Sequence, residues 1–378
     1  MIRIVDKKDC CGCGACAQRC PRQCITMQCD KEGFAYPVID TAQCSECGLC
    51  NRVCPVINQL PAQHPIAAYA ATNSNQAIRE QSSSGGIFTQ LAEATINNNG
   101  IVFGAAFNKD WEVEHIFVDN VDDLSRLRGS KYVQSRIGNS YAMAEKFLKE
   151  GKEVLFSGTP CQIAGLKRFL RKEYDNLKAI DIACHGTPSP WIWKSYLDEI
   201  CHANNVPNIS GIQFRNKTEG WKRYSFVIKY TGSNGQECEF RETMEKNLFM
   251  KSFLSDLCLR PSCHRCPARS GKSGSDITLA DLWGAQHICP EIDDDKGLSF
   301  VIVRRGGNMP QCNMRAIPYS EALKYNPSLE HDSRERKRRK KFFRLAKSKG
   351  VCQATVQCTR KGGLSLLWKN IKKLIETQ

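Results

Sequence analysis

Apolar and polar positions change period repeatedly between Ile66 and Val303. Ile66–Thr72 reads as a strand, and Ile87–Asn98 repeats every three to four residues as a helix does. Ile101–Phe107 returns to strand texture, and Tyr141–Glu150 to a helix. Glu153–Phe156 is a strand feeding a helix that starts near Cys161. Leu177–Ala183 is a further strand, followed by a helix over Trp191–His202. This alternation predicts an α/β domain with a largely parallel sheet. After Ile209 the strands crowd together (Ile212–Phe214, Ser225–Tyr230, Glu237–Arg241), which predicts an antiparallel insertion. A helix near Asn247–Leu257 and strands at Ile277–Ala280 and Phe300–Val303 would close the domain, here bounded at 66–330.

Upstream, Ile25–Ile39 alternates around a turn at Lys31–Gly33 and reads as a β-hairpin. It lies inside a small module over residues 1–60, separated from the rest by a linker carrying Pro61, Gln63 and Pro65. Downstream, residues 331–378 form a basic tail ending in an amphipathic helix. Its apolar positions are Leu364, Leu367, Trp368, Ile371, Leu374 and Ile375, with Lys369, Lys372 and Lys373 opposite. Packing on its own domain or a partner is one use of such a helix, and peripheral membrane contact is the other.

The hairpin separates two copies of one cysteine register. Cys10, Cys13, Cys16 and Cys20-Pro21 spell C-x2-C-x2-C-x3-C-P, and Cys44, Cys47, Cys50 and Cys54-Pro55 repeat it. Three thiolates on a tight loop cap three irons of a cubane, and the fourth ligand is exchanged between loops. The expected sets are Cys10, Cys13, Cys16 and Cys54 for one 4Fe-4S cluster, and Cys44, Cys47, Cys50 and Cys20 for the other. The module therefore reads as an α+β, ferredoxin-like two-cluster unit. Zinc also uses C-x2-C pairs, but leaves the third spacing and both prolines unexplained.

The chain has 378 residues, 41% of them hydrophobic, with 22 cysteines and a formal net charge of +15. No apolar run approaches the ~18 residues that span a bilayer. Met1–Ile4 runs into a polar, lysine-bearing stretch unlike a signal peptide, so a reducing cytoplasm is the expected compartment. The positive excess concentrates in Arg334–Lys349, where ten Lys or Arg face the single acid Glu335. Such a run is a solvated helix face or a docking surface for an acidic protein. Only Phe342 and Phe343 interleave it, so nucleic acid is not an expected partner.

A third cysteine group, Cys258, Cys263 and Cys266, has C-x4-C-x2-C spacing and needs a distant fourth member. Cys161 is suited to that place, at the start of a helix whose dipole favours a thiolate. The alternative is zinc on the triad with His264. Cys11, Cys24, Cys29, Cys184 and four others fit no set and read as small apolar filler.

Five short motifs then occur in order: Ser82–Gly86 (SSSGG), Gly129–Gln134 (GSKYVQ), Gly158–Gln162 (GTPCQ), Asp181–Gly186 (DIACHG) and Ala280–Gly284 (ADLWG). Together with the cysteine registers, they resemble the coenzyme F420 hydrogenase/dehydrogenase beta-subunit family with a bacterial-type ferredoxin domain in front. The resemblance runs from Cys10 to about Phe343. It implies an iron–sulfur flavoprotein that binds FAD, with Cys161, Cys258, Cys263 and Cys266 holding a further 4Fe-4S cluster. It also implies FAD contacts from Ser83, Ser84, Gly85, Gly86, Ser130, Lys131, Gly158 and Thr159, and catalytic roles for His185 and Lys131. A glycine-rich turn opening a helix offers free N–H groups to a phosphate. No G-x-G-x-x-G fingerprint is present, so an NAD site is unsupported. The function this implies is oxidoreduction, with electrons passing between a ferredoxin-type donor, the clusters, FAD and a small organic two-electron substrate. The rival is a non-catalytic electron-transfer subunit.

Overall fold

The computed structural model describes residues 1–306 and 312–359. In the amino-terminal module each cysteine loop leads into a four-residue helix, Ala15–Gln18 or Leu49–Arg52. Both helices are entered through a left-handed glycine, Gly14 at φ +73° and Gly48 at φ +72°, where a side chain would be strained. The repeat in spelling is thus a repeat in geometry. Between the loops, β1 (Ile25–Cys29) and β2 (Ala35–Ile39) pair antiparallel from Ile25 opposite Ile39 to Cys29 opposite Ala35. The module's core consists largely of thiols, Cys16, Cys24, Cys50 and Cys54 beside Ile2 and Ile25. So few apolar groups cannot offset the chain entropy of ~60 residues without help.

The main domain is built on eight strands. These are β3 (Ala67–Thr72), β4 (Ile101–Phe107), β5 (Val113–Val118), β6 (Val154–Gly158), β7 (Leu177–Ile182), β11 (Ile277–Asp281), β12 (Ser299–Val303) and β13 (Asn313–Ala316). Their order is β13-β3-β12-β11-β7-β6-β4-β5. Only the block β11-β7-β6-β4 is parallel, and the remaining pairs are antiparallel. The sheet is therefore mixed rather than largely parallel. Strand β5 returns directly alongside β4 by a tight turn at Asn108–Glu112, too short for a crossover helix. Strand β13 is a fully exposed edge whose four residues carry no apolar alternation.

Consecutive strand residues serve opposite faces. Phe103, Phe156 and Ala179 meet the helices Ser140–Lys149 and Pro160–Leu170, together with Ala15 and Val53 of the cysteine module. Val102, Leu155, Ile180, Leu279 and Val301 pack on the helix Ile87–Asn97. Burial on both faces explains why these strands read as continuous apolar runs.

The predicted insertion is a separate antiparallel sheet of β8 (Asn208–Asn216), β9 (Ser225–Thr231) and β10 (Glu237–Thr243), ordered β10-β9-β8. It shares the largest apolar cluster with the helices Pro190–Ala203 and Leu248–Leu254. The helices Arg339–Lys349 and Val351–Thr359 complete that cluster by burying Phe342, Phe343, Leu345 and Val351. Part of the basic run is thereby used internally. Arg339 donates to both carboxylate oxygens of Glu32 in the hairpin (3.0 and 2.6 Å) and to Leu259 O (3.1 and 2.8 Å). Arg336 pairs with Asp256 at 3.3 Å. The amphipathic helix predicted around 364–375 lies outside the described residues. Among those described, no helix is long and apolar enough to cross a membrane.

Candidate functional site

Strands β3, β4, β6, β7 and β11 point the same way, so their carboxyl ends share one rim of the sheet. Loops carrying four of the five motifs follow those ends. Open α/β sheets bind ligands along this rim.

Cysteines gather in three groups. In the first, the structure places Cys54 with Cys10, Cys13 and Cys16. Burial, then the charges of Cys10 and Cys54, pushes the Cys16 thiol up to about 12. In the second, Cys20, Cys44, Cys47 and Cys50 line a cavity of about 340 Å³, with Cys24 Sγ 3.4 Å from Cys20 Sγ. The Ile2 N–H donates to Cys50 Sγ at 3.2 Å, and Cys47 is exposed.

The third group differs from the sequence expectation. Cys161, Cys184, Cys263 and Cys266 line one cavity of about 600 Å³, together with Cys11. Burial, then the charges of Cys263 and Cys161, raises the Cys184 thiol well above its ordinary value. Cys258 is not brought there. It is fully buried in the largest apolar cluster, and its Sγ accepts from Ser252 Oγ at 3.5 Å. Burial pushes its thiol up to about 12, and the main groups acting on it are Ser252, Arg339 and Asp256 rather than another cysteine. The cause is local. Leu259 bridges Pro188, and the Ser189 N–H donates to Cys258 O (3.0 Å), which fixes this segment against the core. Pro261 then opens a tight helical turn over Pro261–Arg265, with Cys263 and Cys266 reaching the cavity. Cys184 was set aside as filler, yet it stands two residues past β7 on the rim, and that position was the available signal.

Cys161 occupies the first turn of its helix, with Thr159 Oγ1 3.3 Å from Sγ. The helix dipole was expected to lower its pKa, but the thiol is raised. A hydrogen bond with Cys11 and then burial outweigh the dipole. A thiol in this state ionises when a metal supplies the positive charge. Among the described residues no three His, Cys, Asp or Glu side chains converge on a single-ion position. A cubane requires a ring of thiols around a cavity instead, each capping its own iron, and the second and third groups have that form.

The residues expected to contact FAD form a stiff rim. Ser83 Oγ accepts from the Ser130 N–H (2.7 Å), Ser84 Oγ donates to Leu298 O (3.0 Å), and the Gly85 N–H donates to Ser299 Oγ (3.0 Å). Gly86 precedes the helix Ile87–Asn97 with no side-chain cap, which leaves its amino-terminal N–H groups for a ligand. Arg128 reaches over this turn, donating to Thr89 Oγ1 (3.2 Å) and Gln81 Oε1 (2.6 Å), with no carboxylate ion pair among the described residues. Glu93 acts on Arg128 without forming an ion pair, and an uncapped helix start beside this arginine fits a phosphate. At the next strand the arrangement differs. Gly158 ends β6, and the Thr159 N–H is taken by Gln162 Oε1 (2.9 Å) in a helix cap.

The two expected catalytic residues are engaged elsewhere. Lys131 donates to the carbonyls of Leu127, Arg128 and Gly129 (3.5, 3.1 and 3.2 Å), and burial brings its pKa down to about 7. His185 Nε2 lies 2.7 Å from Asp256 Oδ1, and the ring stands edge-on to Phe253. It does not line the 600 Å³ cavity. Asp181, which sequence reasoning passed over, does. It is 4% exposed, and burial raises its pKa above the usual carboxylate range. Its Oδ1 finds no hydrogen-bond partner among the described residues.

Comparison with known proteins agrees with the motif order. Residues 68–140 match the coenzyme F420 hydrogenase/dehydrogenase beta-subunit N-terminal model, and residues 151–309 match the C-terminal model. The chain belongs to this family, which is of the oxidoreductase type. A solved chain of the F420-reducing NiFe hydrogenase complex from Methanosarcina barkeri, studied by xenon derivatisation, is similar over 83% of this chain and 90% of its own. The identity is 16% and the TM-score 0.43. No curated protein matches.

Proposed function

We propose that the chain is an iron–sulfur flavoprotein oxidoreductase with three 4Fe-4S clusters. Their ligands are Cys10, Cys13, Cys16 and Cys54; Cys20, Cys44, Cys47 and Cys50; and Cys161, Cys184, Cys263 and Cys266. The carrying observation is that three thiol groups lie in succession, with Cys11 lining the cavity of the third group and packed in the same cluster as Cys13 of the first. The second group, with Cys47 exposed, lies outermost.

FAD, when bound, supplies the exchange between one-electron carriers and a two-electron organic substrate. The chain's residues hold and shield these groups. The helix start at Ile87 and Arg128 would hold the phosphates, with Ser83 fixed against Ser130 beside them. Backbone amide donors, Ile2 N–H to Cys50 Sγ and Thr187 N–H to Cys263 Sγ (3.4 Å), stabilise negative charge on sulfur. Asp181 puts a buried carboxyl, its pKa raised by that burial, on the cavity wall. The exposed cations Lys337, Lys340, Lys341 and Arg344 form a docking face for an acidic, ferredoxin-type carrier.

Anaerobic purification with iron, sulfide and flavin measured per chain tests this reading. The expected result is about twelve irons and one FAD. About eight irons without flavin would reduce the chain to a two-cluster electron-transfer subunit.

A further inference from the structure

Arg260 is 1% exposed, and no carboxylate pairs with it among the described residues. Four of its five N–H groups are used all the same. Nε donates to Cys10 O (2.8 Å), Nη1 to Gln134 Oε1 (3.0 Å), and Nη2 to Ala35 O (2.9 Å) and Cys10 Sγ (3.6 Å). The guanidinium also lies over the rings of Tyr36 (4.4 Å) and Phe34 (5.5 Å). Neutral acceptors and ring faces orient a guanidinium but do not neutralise it. Burying an uncompensated cation is costly, and native proteins avoid it.

The charge therefore needs an anion, and in direct contact the site supplies only a thiol, that of Cys10. On the other side, Arg260 enters the turn that carries Cys263, whose N–H donates to Arg260 O at 3.0 Å. Arg260 thus stands between the first and third cysteine groups. The outer group has a different neighbour: Arg52 donates to Cys47 O at 3.1 Å from an exposed position, where water screens its charge.

We propose that Arg260 is a positioning residue that sets the reduction potential of the Cys10/Cys13/Cys16/Cys54 cluster, with the anionic cluster as its counter-charge. The proposal rests on the three-cluster reading above. Reduction adds one electron to the cluster, and no bond or proton need change. A fixed positive charge in a dry site favours the more negative, reduced form. With both clusters bound, an electron accepted from a one-electron carrier protein, which is thereby oxidised, would be favoured on the inner cluster over the outer one. Arg260 supplies that preference.

The test uses the full chain, purified anaerobically, with iron counted and cluster potentials titrated by electron paramagnetic resonance. In R260Q, at wild-type iron content, one potential falls by at least the tenfold change in reduction equilibrium that corresponds to 59 mV for one electron. R260K keeps the charge and stays within threefold of wild type. Q134L frees Nη1 but keeps the charge, and likewise stays within threefold of wild type. R52Q leaves that potential unchanged. Unchanged potentials in R260Q at full iron overturn the proposal, as does an equal fall in R260Q and R260K, because geometry rather than charge would then be responsible. If R260Q does not fold, an unshifted potential in R260M, which keeps the side-chain length without the charge, overturns it. Wild-type protein with fewer than about eight irons would instead sink the cluster reading itself.

Discussion

Gly165 lies in the middle of the helix Pro160–Leu170, where ordinary helix propensity favours alanine by about 1 kcal/mol. The structure reverses that sign. A methyl group at Gly165 would lie 2.8 Å from Tyr141 Oη, 2.9 Å from Cys13 Cβ and 3.0 Å from Cys13 Sγ. None of these neighbours gives way easily. Tyr141 is fully buried, and its hydroxyl donates to Gln162 O at 2.7 Å. Cys13 lies between two left-handed glycines, Gly12 and Gly14. Overpacking a rigid contact costs about 1–3 kcal/mol. Set against the propensity gain, Gly165→Ala should therefore destabilise the protein by up to about 2 kcal/mol. That corresponds to a fall in Tm of a few degrees for a chain of this size. Anaerobic denaturant titrations of holo wild type and variant would measure it, with iron counted in parallel, since the clash falls on a proposed cluster ligand. A variant stabilised by ~1 kcal/mol with full iron would show that the amino-terminal module does not seat against this helix as described.

Three further outcomes follow from the geometry. Cys184→Ser should lose about four irons per chain, whereas Cys258→Ser should keep them all; the reverse pattern in an iron assay would restore the sequence-based ligand set. His115 is 7% exposed, its Nε2 lies 3.0 Å from Ser157 O, and burial brings its pKa down to about 4. The unfolded chain therefore binds the proton first, and stability falls as pH drops from about 6.5 to about 4. The total loss is about 3 kcal/mol, and His115→Gln should remove that part of the slope in denaturation measured at pH 7 and pH 5. Arg339→Met leaves Glu32 without its partner and removes two donors from Leu259 O. The expected cost is about 2–3 kcal/mol, reduced from the fully buried case because Glu32 keeps 21% side-chain exposure. Glu32→Gln should cost less, and equal stabilities for both variants and wild type would refute the assignment.

Sequence and structure diverge for identifiable reasons. The hairpin, the strands β4, β6, β7 and β11, and the three-stranded insertion were legible because burial on one or both faces leaves a period in the residues. Strand β13 left none, since all four of its residues face solvent. The two amino-terminal cysteine sets were legible because each nearly fills one local register. The third group was not, because its members come from the ends of two strands and from a turn after Pro261. A local spacing, C-x4-C-x2-C, pointed to Cys258 in place of Cys184. His185 was singled out for its chemistry, but its partner Asp256 lies 71 residues away and could not be seen. The basic run showed only charge, whereas its burial of Phe342 and Phe343 depended on a surface built elsewhere.

The Arg339–Glu32 fork joins residues 307 positions apart, and Lys8 likewise meets Glu335. During synthesis the amino-terminal module leaves the ribosome long before either tail residue exists. At the ~5–20 residues per second of translation, its cysteine loops have roughly 15–60 s before the clasp can close. That interval is a natural window for loading iron and sulfide while the loops are still accessible. Afterwards the segment around Arg339 locks the hairpin against the main domain, and cluster exchange would require this later-made segment to let go first.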